Sequence, residues 1–350
     1  MNARYHHREQ GERNALLSLI QLFCAVSIWR TGMIRILPLC GTSAWWVTLI
    51  CLLPGMGVAL LFRLLMRITK TATMQEALRA CLGKTGMLLT MLVLSVLLLW
   101  DGVSSMTAMV TLFTEGIGTR GTQLTLAILT GVALLCSLHR QGLPRAVCLI
   151  GWGMTAAAVI VAVLLLQHAR LDSLFPLQGN GEAAVFAAIR AGLYAGWPIV
   201  LLLTVEAPLA VRARRGVTSA FSAVAALLLL SLTIPHEVLI RREGLAGHLL
   251  LTTAYSPNAL RVLTMCLVLL SFFFSIAAAV QQSSLLLCSA SKKAPAWVSY
   301  AVLIGVCLTQ AAEIPTLWYW LGRTAVWLPA LLTGCAAAGL IAAFGRRLRT

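Results

Sequence analysis

Stretch after stretch of this chain is long and apolar enough to cross a bilayer, with only short polar connectors between. A crossing needs about 20 apolar residues. Ten such spans can be drawn, at roughly 15–39, 43–66, 86–113, 122–138, 146–167, 184–207, 217–236, 259–287, 296–312 and 324–344. Only 11% of the residues are charged, against roughly 25% in soluble domains. No hydrophilic stretch is long enough to fold separately. The expected organisation is one transmembrane domain, residues 15–344, with tails at 1–14 and 345–350.

The connectors alternate in charge. One set carries Arg4, Arg8 and Arg13; then Arg63, Arg67, Lys70, Arg79 and Lys84; then Arg140 and Arg145. It continues with Arg212, Arg214 and Arg215, with Lys292 and Lys293, and with Arg346, Arg347 and Arg349. The opposite set is sparse: Arg120, Arg170, Arg241, Arg242 and Arg323. Lys and Arg are retained on the cytoplasmic side. The pattern therefore predicts a multi-pass protein of the cell membrane with both termini cytoplasmic. The first apolar stretch holds Arg30 and Arg35 and runs to Pro38, so it reads as a retained helix rather than a cleaved signal.

The net charge of +16 is explained by these helix-end clusters, and no basic-aromatic platform points to nucleic acid. The ten cysteines are scattered without a Cys-x-x-Cys, which argues against a disulfide frame or a metal site. No Walker loop, His-Glu-x-x-His or Gly-x-Ser-x-Gly is present, so neither catalysis nor a cofactor is expected.

Two spans are punctuated near their middles. The first reads Trp29-Arg30-Thr31-Gly32-Met33-Ile34-Arg35-Ile36-Leu37-Pro38, and the sixth reads Gly192-Leu193-Tyr194-Ala195-Gly196-Trp197-Pro198. Gly and Pro weaken helices. Non-helical backbone survives in a membrane only against protein or a wet cavity. The first and sixth spans hold the same place in two five-helix halves. Interruptions at matching positions of an inverted repeat point to a central ligand site. Ordinary glycine packing or a proline kink is the alternative reading.

Asp101 falls mid-span in the third crossing, at a depth similar to Arg30. Charges at such depth are costly and usually paired. An Arg30–Asp101 pair is expected, either structural or tied to a ligand; Asp101 held neutral by burial is the alternative. Arg35 lies nearer the outer end of the first span. Glu206, before Pro208, is expected to meet Arg212 or Arg214. Tyr194, Trp197 and Phe274 lie near mid-depth and are candidates for lining an apolar pocket. After the second span, Thr73-Met74-Gln75-Glu76 has capping-box spacing. It opens a helical pattern of Met74, Ala77, Leu78 and Cys81, closed by Gly83. This predicts a short helix along the base of the bundle.

Several short motifs resemble the endospore germination permease family, the B subunits of nutrient germinant receptors. They are Ser18-Leu19-Ile20-Gln21, Thr31-Gly32 with Leu37-Pro38, and Glu76-Ala77-Leu78 followed by Leu82-Gly83-Lys84-Thr85-Gly86. The stretch Leu171 to Gly181, with Leu174, Pro176 and Gly179, is similar to that family's outer loop. The resemblance implies the amino acid–polyamine–organocation superfamily. Its fold is all-α and leucine-transporter-like, with ten transmembrane helices in a 5+5 inverted repeat and broken first and sixth helices. It implies a site between the first, third, sixth and eighth helices, the spore inner membrane as location, and an A-type membrane subunit and a C-type lipoprotein as partners. Arg30 and Arg35 depart from the small residues usual before that break.

The expected function is germinant sensing, with a small nutrient, an amino acid by preference, bound mid-membrane. The candidate ligand-binding residues are Thr31, Gly32, Asp101, Tyr194, Gly196, Trp197 and Phe274. Arg30, Arg35 and Glu206 are candidate structural or gating charges. A proton- or sodium-coupled amino-acid transporter and a non-binding assembly subunit are the alternatives.

Overall fold

The computed structural model of the chain describes residues 2–117, 142–167, 169, 171–175, 177, 179–233, 258–290 and 315–347. The expected spans 122–138 and 296–312 lie outside the described residues. Among the described residues every regular element is a helix. Seven stretches are long and apolar enough to cross a membrane, the first of them a 60-residue run from Gln10 to Thr69.

That run folds as two legs. Helix α1 (Asn2–Thr31) passes into a π-helical turn (Gly32–Ile36) and a short α2 (Leu37–Cys40). A 3-10 turn (Gly41–Ser43) then leads into α3 (Ala44–Thr69). The chain doubles back here: the Cβ position of Gly32 lies 3.1 Å from Thr48 Oγ1. The first leg is therefore not unwound at Thr31–Gly32, as its Gly and Pro suggested. It widens by one residue instead. The Leu37 N–H bonds to the Gly32 carbonyl, five residues back, so the ladder is carried across the glycine and Pro38 falls at the start of the next α-turn.

Helix α4 (Met74–Ile117) is really two helices joined at Gly83, whose φ of 72° is open to glycine and strained for other residues. The short arm before it is capped at both ends of the box. Thr73 Oγ1 accepts from the Glu76 N–H at 3.3 Å, and Glu76 Oε2 accepts from the Thr73 and Ala72 N–H groups at 3.3 and 3.1 Å. Met74, Ala77, Leu78 and Cys81, the face picked out by its spacing, are buried. After Gly83 the helix continues as the third crossing.

The remaining elements are α5 (Gly142–Leu166), α6 (Glu182–Gly192), a 3-10 helix (Trp197–Thr204), α7 (Leu209–Thr233), α8 (Asn258–Ala290) and α9 (Pro315–Arg347). α8 packs along α4, α1 packs on α7, and α9 covers α4 and α3. The core they enclose includes Phe23, Phe62 and Phe272, all fully buried. α4 and α8 run antiparallel. Ser95 donates to the Ser283 carbonyl at 3.4 Å, while one level up Asp101 meets Arg30, whose neighbour Trp29 lies against Phe272 in a tilted ring pair at 5.7 Å. Leu53, Leu60 and Leu64 stand exposed along α3, a face suited to lipid rather than water.

A polar seam fastens α1 to α7. Arg215 Nη1 donates to Ser18 Oγ at 2.8 Å and to Gln21 Oε1 at 3.0 Å, and Gln21 Nε2 donates to Thr218 Oγ1 at 2.9 Å. Ser219 Oγ donates to the Gln21 carbonyl at 3.1 Å. Without a hydrophobic drive between helices in lipid, such bonds and close packing set which helices associate.

Candidate functional site: a broken crossing beside a buried ion pair

The sixth crossing stops being an α-helix at Gly192. Leu193 takes φ −51° and ψ 133°, Tyr194 takes φ 69°, and the Ala195 N–H bonds to the Gly192 carbonyl at 2.9 Å. These are the angles and the bond of a type II turn, with Tyr194 at the position that normally demands glycine. A second turn follows directly: the Trp197 N–H bonds to the Tyr194 carbonyl at 2.9 Å, with Gly196 at φ −82° and ψ −1°. The chain then runs as an eight-residue 3-10 helix, Trp197–Thr204. Runs of that kind longer than three or four residues are uncommon. A bulky residue at positive φ costs of order 1–3 kcal/mol, and such strain gathers at functional sites.

The break is built against α3. A Cβ on Gly196 would stand 2.6 Å from the Leu52 carbonyl oxygen, and a Cβ on Gly55 would collide with the Gly196 main chain. The two helices therefore meet backbone to backbone, an approach open only to glycine. Gly192 is also tightly packed, but against the side chains of Ile36 and Cys51. Trp197 is buried with its ring edge-on to Phe23 at 6.4 Å, and Cys24 Sγ donates to the Pro198 carbonyl at 3.2 Å.

Phe23 and Cys24 open a stripe along α1. One turn on is Ser27, and one further turn brings Arg30 and Thr31, the i, i+4, i+7 rows of a single helix face. This stripe carries the ion pair. Arg30 Nη2 lies 2.5 Å from Asp101 Oδ1, and Ser27 Oγ donates to the same oxygen at 2.7 Å. Arg30 Nη1 donates to Ser105 Oγ at 2.6 Å and to the Asp101 carbonyl oxygen. Arg30 and Asp101 are 6% and 3% exposed, so both charges are withdrawn from solvent and lipid. Such a pair persists only with good geometry and extra hydrogen bonds. Ser27 and Ser105 supply those bonds, and neither stands out in the sequence. One polar atom is left over: Asp101 Oδ2 is buried without a hydrogen-bond partner. Ser275 Oγ is in the same condition, one turn along α8 from Phe272.

The candidate residues thus fall into two groups joined by α1. Asp101, Arg30 and Thr31 form the first, and Tyr194, Gly196 and Trp197 the second. Gly32 is buried and Thr31 is partly buried in this conformation. The Thr31 hydroxyl donates to the Ser27 carbonyl at 2.9 Å, and the face of Gly32 is filled by Leu227. Phe274 is buried on α8, edge-on to Phe273 at 6.2 Å. Glu206 pairs with Arg13 at 3.1 Å, not with Arg212 or Arg214. Arg212 is turned away to main-chain carbonyls, which its buried position requires. Its Nε donates to Ala207 at 2.8 Å and its Nη1 to Leu203 at 3.3 Å. The Arg13–Glu206 pair is half exposed on both sides. Among the described residues no group of three or more His, Cys, Asp or Glu gathers as a metal site.

No family model matches the chain, and no curated protein matches it. Among solved structures, it is similar in fold to a mutant of the manganese transporter of Eremococcus coleocola, with a TM-score of 0.52 and 13% sequence identity. The match covers 93% of this chain and 77% of that one. At that identity the likeness speaks for the fold alone. This chain is a multi-pass membrane protein with the fold of a membrane transporter, and its regular elements are all helices among the described residues.

Proposed function

We propose that this protein is a permease-fold subunit that binds a small nutrient solute at the break in its sixth crossing, in the manner of a germinant-receptor B subunit. The observation that carries the binding reading is the double turn at Leu193–Gly196. It lies within an apolar crossing of 23 residues and holds Tyr194 in strained backbone. Such a conformation is retained in a membrane when the irregular backbone faces protein or a solute cavity. The transporter fold supports a permease-type role. The Ser18–Gln21 motif supports the germination-receptor reading, because both residues serve the polar seam that fixes α1 against α7. On this reading the ten-span inverted-repeat topology with cytoplasmic termini, the spore inner membrane, and the A-type and C-type partner subunits follow.

A second reading, a proton- or cation-coupled transporter, is favoured by one specific group. The unpartnered Asp101 Oδ2 is a buried acceptor that a proton or small cation would satisfy.

One measurement separates the two. The purified protein in proteoliposomes is given radiolabelled amino acids with and without a proton or sodium gradient. Saturable binding without accumulation, reduced in Tyr194→Gly, supports sensing. Gradient-driven accumulation abolished by Asp101→Asn supports transport. Absence of both binding and uptake across the proteinogenic amino acids overturns the amino-acid assignment in either form.

A further inference from the structure

Three arginines of the crossings are held by protein groups. Arg30 is held by Asp101 and Ser105, Arg212 by main-chain carbonyls, and Arg215 by Ser18 and Gln21. Arg35 is different. It is exposed together with its neighbour Ile34, while Met33 and Ile36 on the same π-turn are buried. Among the described residues its guanidinium has neither a hydrogen-bond nor an ion-pair partner.

The π-turn decides where Arg35 stands. On a regular α-helix, residues five apart point about 140° away from each other. A π ladder joins residue i to i+5 and brings the two toward one side. The bond from Leu37 back to Gly32 is of that kind. It turns Arg35 toward the side of Arg30, and Arg35 lies within electrostatic reach of both Arg30 and Asp101. Two guanidiniums then act on one carboxylate. Arg30 and Ser27 occupy Oδ1 and leave Oδ2 open, and two positive charges against one negative leave this corner positive. An arginine is always charged, and its planar fork fits a carboxylate with two parallel bonds. A free fork at the Gly41 end of the first leg, beside an excess of positive charge, is a receptor for an oxyanion.

We infer that Arg35 is a specificity-determining residue, receiving the carboxylate of the small solute before that solute reaches the Tyr194 turn. This rests on the solute-binding reading and names the chemical group that the site selects. The same oxyanion chemistry is offered by a lipid phosphate, and the test tells the two apart.

The full-length protein is placed in phosphatidylcholine nanodiscs and its thermal unfolding midpoint is followed against rising ligand. The probes are an equimolar pool of proteinogenic amino acids and the matching pool of amino-acid amides, which lack the carboxylate. The acid pool is expected to stabilise the protein at concentrations at least about tenfold below the amide pool, the size of one lost charged hydrogen bond. Arg35→Gln is expected to move the acid curve up by about tenfold or more and to remove the acid–amide difference. Arg35→Lys, which keeps the charge without the fork, should fall between. Equal response to acids and amides in the wild type, or an unmoved acid curve in Arg35→Gln, overturns the inference and leaves solute binding standing. No response to either pool sinks both. Stabilisation by phosphatidylglycerol that vanishes in Arg35→Gln, with no acid dependence, assigns the guanidinium to lipid and also overturns the inference.

Discussion

Arg212 Nη2 lies 2.8 Å from the carbonyl oxygen of Ala72, 140 residues earlier in the chain. The same guanidinium holds Ala207 and Leu203, so one side chain gathers the end of the 3-10 helix, the loop after it and the N-cap region of the short basal arm. No carboxylate is involved in these bonds. The fixed fork of an arginine reaches several carbonyls at once, and a lysine ammonium, a compact point charge, does not.

Arg212→Lys should therefore lower stability by roughly 2–4 kcal/mol, the order expected when buried carbonyls lose charged donors. Arg212→Gln should do at least as much. Thermal unfolding in detergent measures both, and an unchanged midpoint for the lysine variant would show that the fork is not what holds these segments.

Removing either partner of the Arg30–Asp101 pair strands a buried charge. Asp101→Leu and Arg30→Met should each cost roughly 3–5 kcal/mol, while the double variant should be milder than either, because no charge is left over. The comparison is made on unfolding midpoints of the three proteins. Additive losses in the double variant would mean that the two side chains act independently.

Three glycines separate backbone contact from open space. A Cβ at Gly55 meets the main chain of Gly196 and Trp197, which cannot swing aside. One at Gly32 meets the tip of the Leu227 side chain, which can. One at Gly57 meets nothing within 4 Å. Gly55→Ala should be destabilising by about 1–3 kcal/mol or more, as overpacking generally is. Gly32→Ala should cost less. Gly57→Ala should gain up to about 1 kcal/mol from helix propensity. The order of the three midpoints is the observable; Gly55→Ala falling alongside Gly57→Ala would contradict the close approach of α3 to the break.

The break at Gly192–Pro198 was legible because glycine and proline act locally, through φ and the missing N–H, whatever packs nearby. The basal arm was legible for the same reason, since Thr73, Glu76 and the buried row at Met74, Ala77, Leu78 and Cys81 are neighbours in sequence. Arg30 and Asp101 could be matched because two charges at one depth in an apolar bundle leave few other solutions. The π-turn was not legible. Gly32 and Pro38 are compatible with an unwound stretch or a widened helix, and the choice depends on Leu227 and Thr48, which fill the glycine face from other helices. Arg212 was read as a helix-end charge near Glu206. Its carbonyl partners carry no signature in a sequence, because every residue has one. Ser27 and Ser105 were missed because a lone serine in an apolar run looks like any small packing residue.

The 3-10 helix of the sixth crossing changes how far its residues reach. Eight residues at about 2.0 Å each extend about 16 Å, where α-helical winding would give about 12 Å. The α6 segment, with its 11 residues, contributes a similar length at about 1.5 Å per residue. Overwinding the Trp197–Thr204 half thus recovers the length given up to the double turn. The crossing still matches a hydrocarbon slab about 30 Å thick. Relaxing that half to ordinary winding would shorten it by about 4 Å, drawing the Arg212-bound junction toward the centre of the bilayer.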